Sequence, residues 1–282
     1  MLVILGYLLV MASIVGGFMG VGGQPAVLIQ PFEVLIICGA AMGAFISGNS
    51  FALVKASIVQ ATGTLKPARH NKAYYLELLL CFYALTNKTR KEGLLSLEDL
   101  IENPENSTIF TAAILADHHL MEFIRDNLRL IVTGVENHQL EELMDQELEI
   151  HHEEGYGPIK AIQRIGDGMP AFGIVAAVIG VVHTMESINL PPAELGKLIA
   201  AALVGTFLGI LLAYGFIAPV AALMEERLEA AGNAFKCAQK GLLCCAQGIP
   251  PVMTAEYMRS IITSNMRPDF AEMEMQLKAN KG

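Results

Sequence analysis

Charge is scarce in this sequence and is missing altogether from four long stretches. Only 17% of its 282 residues are charged, whereas a soluble domain usually has about 25%. No Asp, Glu, Lys or Arg occurs in residues 1–32, 34–54, 168–185 or 198–224. Because about 20 apolar residues let a helix cross a bilayer, these stretches predict four transmembrane helices and exclude a soluble globular protein. They also exclude a membrane β-barrel, whose strands alternate between apolar and polar residues.

Basic residues are almost absent from the two loops that would lie on one side of the membrane. Of the 19 lysines and arginines, 18 lie in residues 55–164 and 227–281, and only Lys197 lies between the last two apolar runs. The positive-inside rule therefore predicts that both termini and the long middle segment are cytoplasmic. The first run lacks the basic start and the A-x-A site of a cleavable signal peptide, so we interpret it as a retained membrane helix.

Ionisable residues are absent from the middle of every apolar run. Glu33 lies at the outer edge of the second run, and His183 and Glu186 lie at the outer end of the third. An ion pathway normally needs an ionisable group within the membrane. The chain is therefore either a structural membrane protein or one component of a conducting complex whose partner supplies that group.

Motifs of enzymes, metal sites and nucleic-acid binding are also missing. The chain has no Walker A, G-x-S-x-G or H-E-x-x-H pattern, so we expect it not to be an enzyme and to need no cofactor or metal. Its five cysteines form no CxxC pair, and we interpret them as reduced structural thiols. The net charge of −9 argues against nucleic acid as a partner.

Outside the apolar runs the pattern is helical, and no β pattern of any length is present. An apolar stripe at helical spacing predicts a helix over residues 71–91 that ends at Gly93; it consists of Tyr75, Leu78, Leu79, Phe82 and Leu85. Ser96 resembles a helix N-cap, Pro250-Pro251 predicts a helix break, and the tail from Arg267 looks frayed. A separate acidic amphipathic helix is predicted over 137–154.

We therefore predict an all-α, polytopic membrane protein with four transmembrane helices and a helical cytoplasmic domain. Residues 1–54 form the first two membrane helices with a short outer loop, and 55–167 form the cytoplasmic helical domain. Residues 168–224 form membrane helices three and four with another short outer loop, and 225–282 form a C-terminal cytoplasmic helical segment.

Prolines, hydroxyl groups and small residues single out the last two membrane helices. Pro170 lies near the predicted start of the third and Pro219 lies deeper in the fourth, where the missing N–H and the ring favour a kink. Thr206 and Thr184 either bond to a backbone carbonyl or line a polar path. Glycines and alanines at helical spacing allow close helix packing, either within one subunit, between subunits or against a partner's helix.

Two opposite charges flank the predicted helix end at Gly93. From their positions alone, Arg90 and Glu98 are typical of a solvated surface.

The two small-residue membrane helices resemble those of the flagellar stator A subunits, the MotA family, in its proton-type branch of the MotA/TolQ/ExbB superfamily. The likeness is carried by MPAFGIVAAVIGVVH at 169–183 and VGTFLGILLAYGFIAP at 204–219, and also by MLVILGYLL at the start and LLSLEDLIENPENSTIF at 94–110. It extends over nearly the whole chain and is weakest after about residue 265. The tail is shorter than the family's.

The resemblance implies a motility function in the bacterial inner membrane. Five A subunits would surround two helices of a MotB-like partner, whose aspartate carries the ion, and the complex would convert ion flow into torque on the rotor protein FliG. Pro170 and Pro219 match the family's coupling prolines. Arg90 and Glu98 match its charged pair at the rotor.

The resemblance also bears on the transported ion. Sodium-driven relatives have a threonine on the third helix seven residues after the proline, where this sequence has Ala177. Removing water from sodium requires several oxygen ligands. Ala177 offers none in its side chain and Thr206 offers one, so we predict H⁺ rather than Na⁺.

Two alternatives stay open on the sequence. An ExbB/TolQ-type energy-transducing subunit shares the small-residue helix pair but usually has three membrane helices. A non-conducting membrane scaffold would need no aspartate-bearing partner.

Overall fold

A computed structural model describes residues 2–279 of the chain, and in that range every regular element is helical. The α-helices run in the following order: α1 Leu2–Gly20, α2 Pro31–Ser47, α3 Phe51–Gly63, α4 Lys72–Glu92, α5 Glu98–Glu102, α6 Ala112–Leu115, α7 His118–Thr133, α8 Asn137–Glu186, α9 Pro192–Ile210, α10 Ala218–Ala246, α11 Pro251–Ile261 and α12 Phe270–Ala279. A π-helical segment, Leu211–Ile217, joins α9 to α10, and short 3₁₀ turns occupy Pro25–Leu28, Leu94–Leu97 and Pro104–Asn106.

The chain forms two compact units. The membrane unit contains the described residues up to Pro67 together with Gly155–Glu226. The polar unit contains Ala68–Glu154 together with the described residues from Arg227 onward. The four predicted segments follow the distribution of charge along the chain, whereas these two units follow its packing, so the two divisions describe different properties.

Four helical segments of the described chain are long and apolar enough to cross a bilayer, as predicted. They are Leu2–Gly20, Pro25–Ser47, Asn137–Glu186 and Pro192–Ala246. None of the side chains of α1 is buried, and its leucines are exposed over more than half of their surface, for example Leu8 at 63%. Such a helix is stable only with apolar surroundings, which a bilayer provides.

The third and fourth spans continue far beyond their apolar runs. Helix α8 has 50 residues, so the predicted acidic helix over 137–154 and the third membrane helix are one element. The expectation that Pro170 lies near a helix start is therefore wrong. Both Pro158 and Pro170 lie inside α8, where each removes one backbone hydrogen bond.

The polar unit is organised around α4. The predicted stripe is confirmed, because Tyr75, Leu78, Leu79, Phe82 and Leu85 are all buried. Gly241 of α10 lies directly against the Phe82 ring, and any larger residue there would meet that ring and the sulfur of Met258. The missing side chain lets the backbone of α10 approach the α4 core closely.

Helix ends were predicted with mixed success. Gly93 ends α4 with φ 85°, Gly134 ends α7 with φ 82°, and α11 begins at Pro251. The N-cap role of Ser96 is wrong, because its hydroxyl donates to the Gly93 carbonyl within a 3₁₀ turn. The frayed tail is wrong over its described part, where α12 buries Met273 and Leu277 in the core.

Candidate functional site

Helices α8 and α9 touch backbone to backbone inside the membrane unit. A β-carbon built on Gly209 would lie 2.7 Å from the Met169 carbonyl oxygen, and one built on Gly173 would lie 2.8 Å from that of Gly205. Real β-carbons do not approach so closely, so only glycine fits. We call Gly173, Gly180, Gly205 and Gly209 the glycine seam. For these residues the close packing lies within one subunit, which decides the alternative that the sequence left open.

The seam positions the two residues predicted to line the ion pathway. The backbone nitrogen of Ala177 would lie 3.1 Å from a β-carbon on Gly205, and Thr206 follows Gly205 directly. Both Ala177 and Thr206 are half-buried. The structure thus brings the two helices together at the level of these residues.

The two threonines of the α8–α9 helix pair, Thr184 and Thr206, differ in their hydrogen bonding. The Thr184 hydroxyl donates to the Gly180 carbonyl at 2.8 Å, which is the expected backbone bond. The hydroxyl of Thr206 makes no hydrogen bond to any residue of 2–279. It is therefore available as a polar group at the surface of the α9 helix.

The two prolines predicted to couple ion flow to movement belong to helices in contact. Pro170 is half-buried and directly follows Met169, whose carbonyl meets Gly209. Pro219 is exposed and follows the π-helical segment by two residues. At the end of that segment nearest Pro219, Ile217 packs against Gly166 of α8, with 3.2 Å between its Cγ2 and a β-carbon built on the glycine.

A contact that the sequence did not predict supports the π-helical segment. The Tyr7 hydroxyl donates to the Phe216 carbonyl at 2.8 Å, and the two rings lie 4.8 Å apart. A π-helical turn next to a proline leaves backbone groups without regular partners. Tyr7 of α1 bonds a carbonyl of this segment, so α1 is anchored to the irregular region where α9 becomes α10.

Arg90 and Glu98 lie in the polar unit, on either side of the turn at Gly93. Both side chains are exposed, and neither makes an ion pair with another residue of the described chain. Between them Leu94 is 37% exposed and Leu95 is 70% exposed. The surface therefore combines two unpaired charges with an apolar centre, an arrangement typical of protein–protein contacts.

A buried polar cluster in the polar unit was also missed. The Asp117 carboxylate accepts from His70 Nε2 at 2.9 Å and from the Tyr74 hydroxyl at 3.2 Å, with Arg69 at 3.7 Å. Burial alone raises the pKa of Asp117, but the hydrogen bond and charge of His70 and the charge of Arg69 outweigh it and lower that pKa. The cluster holds the start of α4 against the start of α7 and is structural. Across residues 2–279, no group of His, Cys, Asp and Glu could hold a metal ion.

Comparison with known families agrees with this arrangement of helices. Residues 4–93 match the family described as motility protein A N-terminal, and residues 115–236 match the MotA/TolQ/ExbB proton channel family. The chain is 43% identical over 284 residues to motility protein A of Escherichia coli K12, covering all of this chain and 96% of that one. It is 37% identical over 281 residues to the chemotaxis protein LafT of Vibrio parahaemolyticus, covering 99% of each.

Two solved structures share the fold. The match to the structure of MotAB from C. jejuni has a TM-score of 0.79 at 22% identity, covering 93% of this chain and 96% of that one. The flagellar MotAB stator complex from Bacillus subtilis gives 0.74 at 22% identity, covering 99% and 98%.

Proposed function

This chain belongs to the motility protein A family within the MotA/TolQ/ExbB proton channel family, and from that premise we propose that it is the A subunit of a bacterial flagellar stator. It is an inner-membrane protein, and together with a MotB-like partner it conducts protons and converts their flow into torque. The match of residues 4–93 to the motility protein A N-terminal family favours this function over an ExbB/TolQ-type subunit.

One observation carries the proposal. The tightly packed α8–α9 pair presents a free hydroxyl at Thr206, yet the middle of no apolar run contains a carboxylate or a base. An ion pathway needs an ionisable group. The group must therefore come from another chain, and a membrane aspartate on a MotB-like helix is the group that the family implies.

The assembly and its orientation form part of the proposal. Five copies of the chain surround two partner helices, and both termini are cytoplasmic, an orientation that the distribution of the 19 basic residues supports. In this arrangement Arg90 and Glu98 face the rotor protein FliG. Their exposure, their lack of partners in the described chain and the apolar side chains between them support this assignment.

Protons are the proposed ion. Ala177 has no side-chain oxygen and Thr206 supplies a single hydroxyl, which is too few ligands to replace the water around sodium. Swimming driven by this chain and its partner should continue without sodium and stop with a protonophore. Motility that rises with external sodium would contradict proton coupling without affecting the stator assignment.

The test of the main proposal is proton flux in membrane vesicles that contain the chain with and without its partner, followed with a pH-sensitive dye. We expect flux only with both chains, and its loss when the partner's membrane aspartate is changed to asparagine. Flux from this chain alone would overturn the proposal, and so would copurification with the partner but no flux, which is the result expected of a scaffold.

A further inference from the structure

A groove opens between α2 and α8 in the membrane unit. Its volume is about 190 Å³, and its walls are mostly apolar or small, with Phe45 and Phe172 as the largest apolar side chains. Ala41, Ala44 and Gly48 line the α2 side, and Gly168 lies on the α8 side.

The groove lies where the two helices leave the hydrocarbon. Helix α2 ends at Ser47 and Gly48 follows it, while the uncharged run 168–185 of α8 begins directly after Asp167. The lining residues therefore extend from the apolar part of both helices to their first charged turn. At this depth the phosphate groups of lipids meet the acyl chains.

One cationic side chain lines the groove. Arg164 is exposed, and it makes no hydrogen bond or ion pair with any residue of the described chain. The nearest acidic residue along the helix, Asp167, is exposed but does not line the groove. The guanidinium therefore offers a paired donor set, which suits a phosphodiester, in a groove whose other lining residues are apolar or small except for Asn49.

We propose that this groove binds an anionic phospholipid, with its phosphate on Arg164 and the first part of one acyl chain between Phe45 and Phe172. The charge of the groove favours a lipid over another apolar helix, because the Arg164 guanidinium makes no hydrogen bond or ion pair within residues 2–279 and an anionic headgroup would supply its partner. The proposal holds for either orientation of the protein, since lipid phosphates lie on both sides of a membrane.

The first experiment measures which lipid stays with the purified protein. The chain, with its partner, is reconstituted in phosphatidylcholine containing phosphatidylglycerol, extracted in mild detergent, and its retained lipids are counted by native mass spectrometry. A basic residue at the membrane surface favours anionic lipid by roughly fivefold. We expect about that preference for phosphatidylglycerol in the wild type and none in Arg164→Gln.

A matched control separates this site from the general charge of the helix. Lys160 lies on α8 four residues before Arg164 and does not line the groove. Lys160→Gln should keep the lipid preference. An equal loss in both variants, or no loss in Arg164→Gln, would overturn the proposal.

The second experiment fills the groove. Ala44→Phe places a ring in its wall, whereas Met42→Phe adds a ring on the same helix outside the lining. We expect Ala44→Phe to lower retention of phosphatidylglycerol severalfold and Met42→Phe to leave it unchanged. If Ala44→Phe instead dissociates the oligomer while the lipid stays bound, the groove is an interface between copies of the chain and the lipid proposal is wrong.

Discussion

The two compact units of this protein are packed by opposite means. The membrane unit buries small side chains such as Ala176 and Ala202 beside the glycine seam, while large apolar side chains such as Leu203 stay 65% exposed. The polar unit buries Tyr75 and Phe82 almost completely and exposes most of its charges, with Asp117 as the buried exception. The distribution of apolar residues between the interior and the surface is therefore reversed.

The difference follows from the solvent. In water, burial of large apolar side chains drives packing, so the polar unit gathers its aromatic and leucine residues in one core. In lipid that driving force is absent, and helices associate through van der Waals contact, which is best when their backbones meet. The stability of the polar unit should therefore depend on its large side chains, and that of the membrane unit on glycines that have none.

Removing a large side chain from the polar unit should lower the free energy of unfolding by the largest amount. Phe82→Ala leaves a cavity beside Gly241, and we expect the free energy of unfolding to fall by about 3–5 kcal/mol. Leu95→Ala, at an exposed site, should change it by less than about 0.5 kcal/mol. Denaturant unfolding of the purified chain in detergent measures both. A small loss for Phe82→Ala would show that this core is not what stabilises the unit.

Adding a single methyl group to the glycine seam of the membrane unit should lower the free energy of unfolding nearly as much. Gly209→Ala forces the α8 and α9 backbones apart, and we expect a loss of about 1–3 kcal/mol with weaker assembly with the partner. The neighbouring Ile210 is 48% exposed, so Ile210→Ala is the control with little effect. Thermal unfolding and copurification with the partner compare the Gly209→Ala and Ile210→Ala variants. Wild-type behaviour of Gly209→Ala would remove the seam as the basis of packing.

Acid should weaken the polar unit through His151. Its ring lies 4.2 Å from Phe235, and burial, with the nearby His119 as a smaller cause, lowers the pKa of His151 below its ordinary 6.5. The unfolded chain therefore binds a proton more readily, and the stability due to neutral His151 is lost as pH falls below about 6.5. His151→Phe should lessen the fall in melting temperature between about pH 7.5 and 5.5. His138→Phe, at an exposed site, should not. Equal falls in all three proteins would contradict this account.

Pro219→Ala should change function more than stability. Pro219 is exposed, and alanine in its place restores one backbone N–H. We therefore expect the variant's free energy of unfolding to be at least equal to that of the wild type. Straightening the helix after the π-helical segment should sharply reduce motility while the complex still assembles. Swimming speed and partner copurification are measured together. Loss of membrane insertion or of partner binding would count against a coupling role.

The smallest effect on stability is expected at the exposed pair of the polar unit. Reversing Arg90 or Glu98 should change the unfolding free energy by less than about 0.5 kcal/mol. Because register between charged surfaces depends on sign, Arg90→Glu should reduce motility more than Arg90→Ala. A reciprocal reversal on the rotor should restore part of the loss, and Lys91→Glu serves as the adjacent control.

The decisive measurement for this pair is swimming at matched protein levels. Normal motility of a double variant, Arg90→Glu with Glu98→Lys, in cells with an unmodified rotor would remove the pair from the rotor contact.

Contacts between distant segments were the part of the site that sequence reasoning missed. Tyr7 and Phe216 are separated by 209 positions, and His70 and Asp117 by 47. No local pattern links such residues, since each is an unremarkable member of its own helix. Likewise, small residues in two apolar runs predicted close packing but not which glycines meet.

Hydropathy and helical spacing are properties of neighbouring residues. They determined the membrane class, the four spans, the buried stripe of α4 and the absence of Asp, Glu, Lys and Arg from the middle of every apolar run. Each depends only on a window of sequence and on the cost of exposing apolar groups to water or charges to lipid. Tertiary structure alone decided that α8 is unbroken through Pro158 and Pro170 and that the glycine seam lies within one subunit. It also left the Thr206 hydroxyl without a hydrogen bond to any residue of 2–279. Those features depend on which surfaces pack together, because contacts made by a neighbouring helix outweigh the local preferences of proline, glycine and threonine.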